Sequence, residues 1–567
     1  MMRPEYPRPQ LVREKWQNLN GEWDFLMDHG CSGKDRNFYE NADYNMKINV
    51  PFAPESRLSG IGCVDFINSV WYRRTFTVDS SAFDGRVLIH FGAVDYYSEV
   101  WINGASVGYH KGGYTPFVFD ITDKCKEGEN TVVVYAYDDT RDMFQPSGKQ
   151  SREYYSKGAM YTRTTGIWQT VWLEFVPNVY ISKLKLTPDI DNERLHVVAT
   201  FNKDCEETLN AEASLNGNTV TVQSVKVRGT TAELFLDIKN PELWSVESPT
   251  LYDLKLTVGD DVVTSYFGMR KVSIKGYAIE INNKPVFQRL VLDQGFYPDG
   301  IYTAPTDEDL KNDVLLSKAV GFNGARLHEK VFEPRLIYWA DKLGYLLWGE
   351  YPNKGLDTDD PKALLFMLSE WIEEVERDYN SPAIIGWCAF NELGSAHRIA
   401  DIIETVYDVT KGIDPFRPVI DTSGYIHARK TDIYDWHDYE QDPVQFAKNY
   451  ETFVYGNGER FKDPKGMSQY GDQPFFISEF GGILWVVDDN PNACGYGIPP
   501  KTFEEFYERY ECIANVLLTN PKMCGFCYTQ ITDVEQECNG IYSFSRKPKF
   551  DAARLYAINT KKAAIEE

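Results

Sequence analysis

Two glutamates stand where apolar runs of the chain give out. Glu392 ends the run AIIGWCAFNE, and Glu479 lies at the end of PFFISEFGG, with two glycines behind it. A carboxylate at such a place can cap the helix that follows, and either glutamate alone suits that role as well as a catalytic one. Together they suit cleavage of a glycosidic bond, which needs one carboxylic acid on the leaving oxygen and a second carboxyl group across the sugar ring. Other polar residues follow apolar runs in the same way: Asp293 and Gln294, Arg326 and His328, Glu350, Asn391, His437, and Gln530 and Asp533.

Such residues need strands to bring their ends together. From Lys275 onward, short apolar runs alternate with helical stretches, beginning FQRLVLDQG, DEDLKNDVLLSKAVG, FNGARLH and PRLIYWADKLG. The same alternation continues to KMCGFCYTQITD and yields eight strand candidates, which implies a (β/α)8 TIM barrel over 275–567. A doubly wound sheet is the alternative, but the glycine-rich first turn of a nucleotide fold is missing. In a barrel of this kind, polar residues that follow the strands gather at the C-terminal face.

The chain before Lys275 reads as β-structure. Over 1–177, runs such as VWYRRTFTV, RVLIHFGAV and NTVVVYAYDD alternate apolar and polar residues between turn signals. EVWINGASVGY has the strand, Asn-Gly turn and strand of a hairpin. A jelly-roll β-sandwich is the natural fold there. Over 178–274, about seven shorter strands follow in the rhythm of an immunoglobulin-like β-sandwich.

Composition narrows the partners. At 567 residues the chain exceeds a single core. A formal charge of −25 opposes binding to nucleic acid or to an anionic membrane surface, both of which need concentrated Lys and Arg. No apolar run reaches the ~18 residues of a membrane span. The start, MMRPEYPRPQ, has no apolar core of a signal peptide, so a cytoplasmic location is expected. Ten cysteines show no framework of spacings. Cys524 and Cys527 form a CxxC within a strand-like run and read as two packed thiols rather than a redox or zinc pair. Eight histidines show no metal-ligand spacing, and no cofactor is expected.

Several motifs in one order resemble glycoside hydrolase family 2, the group of β-galactosidases, β-glucuronidases and β-mannosidases. QNLNGEWDF, FGAVDYYSEVWINGASVGYHKGGYTPFVFDIT and RTTGIWQTVWLEFVP resemble its sugar-binding jelly roll, and FGMRKVSIKG its join to the barrel. FNGARLH, YLLWGE, GWCAFNE and FFISEFGG resemble its second, third, fourth and seventh barrel strands. The resemblance implies that Glu392 is the acid/base and Glu479 the nucleophile of a retaining mechanism, with the carboxyl groups about 5 Å apart. It also implies that Asn391 meets the sugar 2-hydroxyl and that Arg326 keeps the nucleophile ionised. On this reading the pKa of Glu392 is raised while Glu479 is charged and lowered once Glu479 is glycosylated. Family members are often oligomers, so a homo-oligomer is open to this chain.

The sugar is less specified. Asp293, His328, Glu350, His437, Asp438 and Tyr470 lie at or near strand ends or the loops beside them and are candidate sugar contacts, with His437 favoured by its polar, aromatic setting YDWHDYEQ. Trp348, Trp387 and Trp485 are stacking candidates. The first two can equally be core, so Trp485 is preferred. The family's glucuronidases carry an Asn-x-Lys after the eighth strand, whose lysine binds the substrate carboxylate. Here Asn539 is followed by Gly540 and Ile541, so that lysine is missing and Arg546 or Lys547 would have to substitute. A neutral terminal sugar is therefore expected. A β-galactoside is the leading candidate, with glucuronides, arabinosides and other plant glycans as alternatives, and a non-catalytic carbohydrate-binding protein as the alternative from another class.

Overall fold

The computed structural model describes residues 3–393, 399–455, 470–487 and 490–567. The first domain packs a four-stranded antiparallel sheet, built around Arg86–Phe91 and Val171–Val176, on a six-stranded one built around Ser69–Val78 and Gly128–Tyr137. Trp23, Phe25, Tyr72, Ile89, Val134 and Leu173 fill the space between them. Alternation along each strand sends the next residues outward. There Trp71, Trp101, Val133 and Tyr135 form a second apolar layer over the larger sheet. The hairpin turn is at Asn103–Gly104, where both residues have positive φ (51° and 81°) as the tight turn requires.

The second domain has seven strands, three in one sheet and four in the other. Its strand Tyr252–Val258 shows strict in-out burial, with Leu254 and Leu256 in the core beside Leu195, Val197, Leu234 and Leu236. Arg13 clamps this domain to the first one. Its guanidinium donates to both Asp261 oxygens, at 2.8 and 2.9 Å, and to Glu174 at 3.2 Å.

The third domain is a nearly closed parallel barrel. Its strands are β1 (Gln288–Asp293), β2 (Gly324–Leu327), β3 (Leu346–Glu350), β4 (Ile384–Cys388), β5 (Val419–Ile420), β6 (Tyr434–Asp438), β7 (Phe475–Phe480) and β8 (Met523–Tyr528). They run in the order β5-β4-β3-β2-β1-β8-β7-β6. Apart from the partly exposed Trp436 of β6, every strand residue is buried, which is why the strands read as continuous apolar runs rather than alternating ones. Trp348 and Trp387 belong to this core. Trp348 stacks on Phe476 with centroids 6.0 Å apart, and Trp387 sits against Trp371 while its indole N–H donates to Asp414 at 2.9 Å. Neither can stack on a sugar. Cys524 and Cys527 are buried in β8 as free thiols. Among the described residues no helix is long and apolar enough to cross a membrane.

One contact between domains builds the site. A loop of the first sandwich reaches over the ends of β2 and β3, where the backbone N–H groups of Ser147 and Gly148 donate to the Lys354 carbonyl at 2.8 and 3.1 Å. Gly148 has φ +53°, and a Cβ there would lie 2.2 Å from the Glu329 carbonyl oxygen. On the other side, a Cβ on Gly355 would meet Ser147 Oγ at 2.4 Å. Two glycines therefore let the two backbones touch.

Candidate active site

Glu392 and Glu479 meet at the C-terminal mouth of the barrel, one just past β4 and the other near the end of β7. His437, in β6, lies between them. Its Nδ1 is 3.3 Å from Glu392 Oε1 and its Nε2 is 3.5 Å from Glu479 Oε1. One oxygen of each carboxylate and a ring nitrogen of His437 all lie within 4.8 Å of one another. A histidine and two carboxylates so grouped could hold a cation, but here each carboxylate already has cationic or hydroxyl partners.

Glu479 is buried under three such partners. Arg326 Nη1 approaches its Oε1 at 3.4 Å and donates to the Ser478 carbonyl at 2.6 Å. The Tyr439 hydroxyl donates to Oε2. Burial pushes the Glu479 carboxyl up and the like charge of Glu392 adds to that. His437 and Arg326 outweigh both and hold it below the usual range, so it stays ionised. Tyr439 is kept protonated by burial and by the Glu479 charge, and so remains a donor. Gly482 follows with φ +55°, where a Cβ would lie 2.5 Å from the Tyr496 ring. That glycine leaves room for Tyr496 to stack on Tyr439 at 3.5 Å.

Glu392 has φ +50°, a left-handed backbone that few non-glycine residues adopt and that is commoner at functional sites. Its amide is fixed by the Ser423 carbonyl at 2.8 Å. Lys354, from the loop after β3, donates to Oε2 at 2.9 Å. The raised acid expected from a neighbouring charged nucleophile is not what this arrangement gives. Burial pushes the carboxyl up, but the His437 contact and the charges of Lys354 and Lys149 hold it well below the usual range. The difference comes from the His437 contact and from Lys354, which the sequence reading did not bring to the site.

The supporting residues divide into two groups. Asn391 is buried between the glutamates' strands. Its Oδ1 accepts from Arg326 at 3.2 Å and its amide N–H is held by Asn353 at 2.7 Å. Its side-chain Nδ2 is buried with no partner among the described residues, a donor left for a ligand. His328 lines the pocket, and burial together with Lys149 and Arg326 pushes it well below its ordinary value, so it is neutral.

Four expected sugar contacts lie elsewhere. Glu350 is below the pocket, paired with Arg326 Nε at 2.5 Å and His328 Nδ1 at 3.1 Å, so it orients other residues. Asp293 turns away and accepts from the Gly295 amide at 2.8 Å, while its neighbours Leu292 and Gln294 line the pocket. Tyr470 precedes β7 and packs on Tyr434 and Phe475, at the N-terminal strand ends, which is the opposite side of the barrel. Trp485 turns into a cluster with Phe503, Phe506 and Phe550 because the chain after Gly482 leads back onto the helix Phe503–Leu518.

The pocket itself is a cavity of about 170 Å³ lined by Leu292, Gln294, His328, Lys354, Glu392, Tyr439, Glu479, Tyr496, Thr529 and Glu537, with Lys149, Ala159 and Met160 of the first sandwich completing its wall. Lys149, Lys354, Tyr439, Tyr496 and Glu537 were not foreseen. Lys354 in YPNKG and Glu537 in EQECNG do follow strands and were open to the same reasoning as the others. Neither Arg546 nor Lys547 reaches the site. Arg546 is bound to Asp313 at 3.1 Å, and Lys547 is exposed.

Comparison with known proteins agrees with this architecture. Models of glycosyl hydrolases family 2 match the sugar binding domain over residues 16–177, the family's middle domain over 179–270 and its TIM barrel domain over 272–484. The chain belongs to glycosyl hydrolases family 2. It is 27% identical over 485 residues to a putative β-glucuronidase of Formosa agariphila, a match covering 77% of this chain and 56% of that protein. It is 28% identical over 459 residues to a β-galactosidase of Leuconostoc mesenteroides, covering 76% and 41%. The chain thus spans about half the length of the curated relatives it matches. Among solved structures, a β-glucuronidase of Lactobacillus rhamnosus superposes with a TM-score of 0.81 over 99% of this chain and 100% of its own, at 21% identity. That likeness is one of fold.

Proposed function

We propose that this protein is a retaining exo-β-glycosidase acting on a terminal, neutral, non-reducing sugar, with β-galactosides as the leading candidates. The observation that carries the reading is the close pairing of Glu392 and Glu479 around His437, at the short carboxyl spacing typical of retention rather than the ~6.5–9.5 Å that leaves room for a water in inverting enzymes. Exo action is supported by the size of the cavity, about 170 Å³ and on the scale of one sugar, with the first sandwich supplying part of its wall.

Glu479, ionised beside Arg326 and Tyr439, attacks the anomeric carbon. Glu392 donates a proton to the leaving oxygen and then takes one from the incoming water. The free Nδ2 of Asn391 meets the sugar 2-hydroxyl, an interaction that strengthens as oxocarbenium character develops. Tyr439 releases its hydrogen bond as Glu479 becomes an ester. For Glu392 to act as an acid, the His437 contact and Lys354 must loosen from its carboxylate as the glycoside enters, so that its affinity for a proton rises.

Glucuronides are disfavoured because the carboxylate of Glu537 faces the pocket and Ile541, two residues after Asn539, stands where the family's glucuronidases carry a lysine. A panel of p-nitrophenyl β-galactoside, glucoside, glucuronide, mannoside and α-arabinoside tests the assignment. We expect release from a neutral glycoside, abolished by Glu479→Gln. Release from none of them by the wild type would favour a carbohydrate-binding protein instead.

A further inference from the structure

Lys149 is a pocket cation whose charge acts at longer range on Glu392 and Glu537. It is buried, only 6% exposed, yet its ammonium makes no side-chain hydrogen bond and no ion pair with any described carboxylate within 4 Å. Its position is built rather than incidental, since the neighbouring Gly148 seats the loop directly on the Glu329 carbonyl. The ammonium stays open to the cavity rather than sealed within the protein, so a ligand group can serve as its partner.

Glu537 lines the same pocket and is fixed from both sides. The Tyr161 hydroxyl, also from the first sandwich, donates to Oε2, and Asn539 Nδ2 donates to Oε1 at 3.0 Å. Each carboxylate oxygen keeps a further lone pair for a ligand. Gln294 Oε1 is buried without a partner in the same cavity. The wall therefore offers a strong donor and several unfilled acceptors. Hydroxyl groups, which both donate and accept, satisfy such a set. A substrate carboxylate only accepts, so it would suit Lys149 but would set a like charge near Glu537.

We infer that Lys149 and Glu537 are the specificity-determining pair of the sugar site, Lys149 donating to one ring hydroxyl and Glu537 accepting from another, so that sugar selection is made across the interface of two domains. The inference rests on the glycosidase reading above.

The test uses the full chain and p-nitrophenyl β-galactoside, β-glucoside and β-glucuronide, followed by analogues of the preferred sugar each lacking one ring hydroxyl. Wild type prefers a neutral glycoside over the glucuronide. Lys149→Met and Glu537→Gln each lower kcat/KM on it by about 10- to 100-fold, the size of one lost polar contact in a closed site. For one deoxy analogue the Lys149→Met effect falls to less than about threefold because that contact is already gone, and for a different analogue the Glu537→Gln effect falls likewise. If Lys149→Met does not fold, Lys149→Gln gives the same pattern. An equal loss on the parent sugar and on every deoxy analogue would mean a purely structural role and overturn the inference. A wild-type preference for the glucuronide would also overturn it while leaving the glycosidase reading intact. No release from any glycoside would overturn both.

Discussion

Lys354 Nζ lies 2.9 Å from Glu392 Oε2, so the carboxyl group proposed as general acid is held ionised by this cation together with the His437 contact. This contact sets the pH behaviour of the free enzyme. The alkaline limb of kcat/KM follows loss of the proton from Glu392, and Lys354 pulls that limb toward low pH. Lys354→Met removes the charge, raises the carboxyl's pKa and moves the limb to higher pH. A pH–rate profile of the two proteins on one aryl glycoside checks the direction. An unchanged limb would mean that Lys354 does not act on Glu392 in the free enzyme.

Glu392 and Glu479 are separable by chemistry. Glu392→Ala should reduce kcat by roughly a hundredfold to ten-thousandfold on substrates with poor leaving groups, with much less loss on dinitrophenyl glycosides that need no proton. Azide should restore turnover and give a glycosyl azide of retained configuration, which NMR of the product identifies.

Arg326 compensates two buried carboxylates, Glu350 at 2.5 Å and Glu479 at 3.4 Å. Arg326→Met leaves both uncompensated and should cost about 3–5 kcal/mol of stability at neutral pH. Burial already raises Glu350, and both groups titrate upward once the arginine is gone. The deficit therefore shrinks as pH falls and the carboxyls protonate, which denaturant titrations at several pH values resolve. A deficit that grows on acidification would contradict the assignment.

The seating of the sandwich loop is tested at Gly148. Gly148→Ala forces a Cβ to 2.2 Å from a backbone oxygen at a positive φ. It should destabilise the protein by about 1–3 kcal/mol and raise KM more than it lowers kcat, because the displaced loop carries Lys149. Equal KM values for variant and wild type would detach the loop from sugar binding.

The barrel was legible because parallel strands buried on both faces leave continuous apolar runs, and Glu392 and Glu479 were legible because each follows such a run. Position near a strand is a weaker guide to which way a side chain faces. Glu350 and Asp293 also end strands, yet one points beneath the pocket and the other turns to a nearby amide. Tyr470 lay at the wrong end of β7, since a residue before a parallel strand sits on the face opposite the site. Trp485 follows the right strand, but its chain folds back onto a helix. Lys149 had no local signal at all. It belongs to a different domain, and only the docking of two backbones through Gly148 and Gly355 brings it to the pocket.

The central claim is that Glu479 forms a covalent bond to the sugar. Incubation with the 2-fluoro dinitrophenyl glycoside of the preferred sugar slows breakdown of the glycosyl-enzyme more than its formation, so the intermediate accumulates. Intact mass should rise by one fluorosugar per chain, and peptide mapping should place it on Glu479. A label on another residue, or turnover with inversion and no label, would contradict the account.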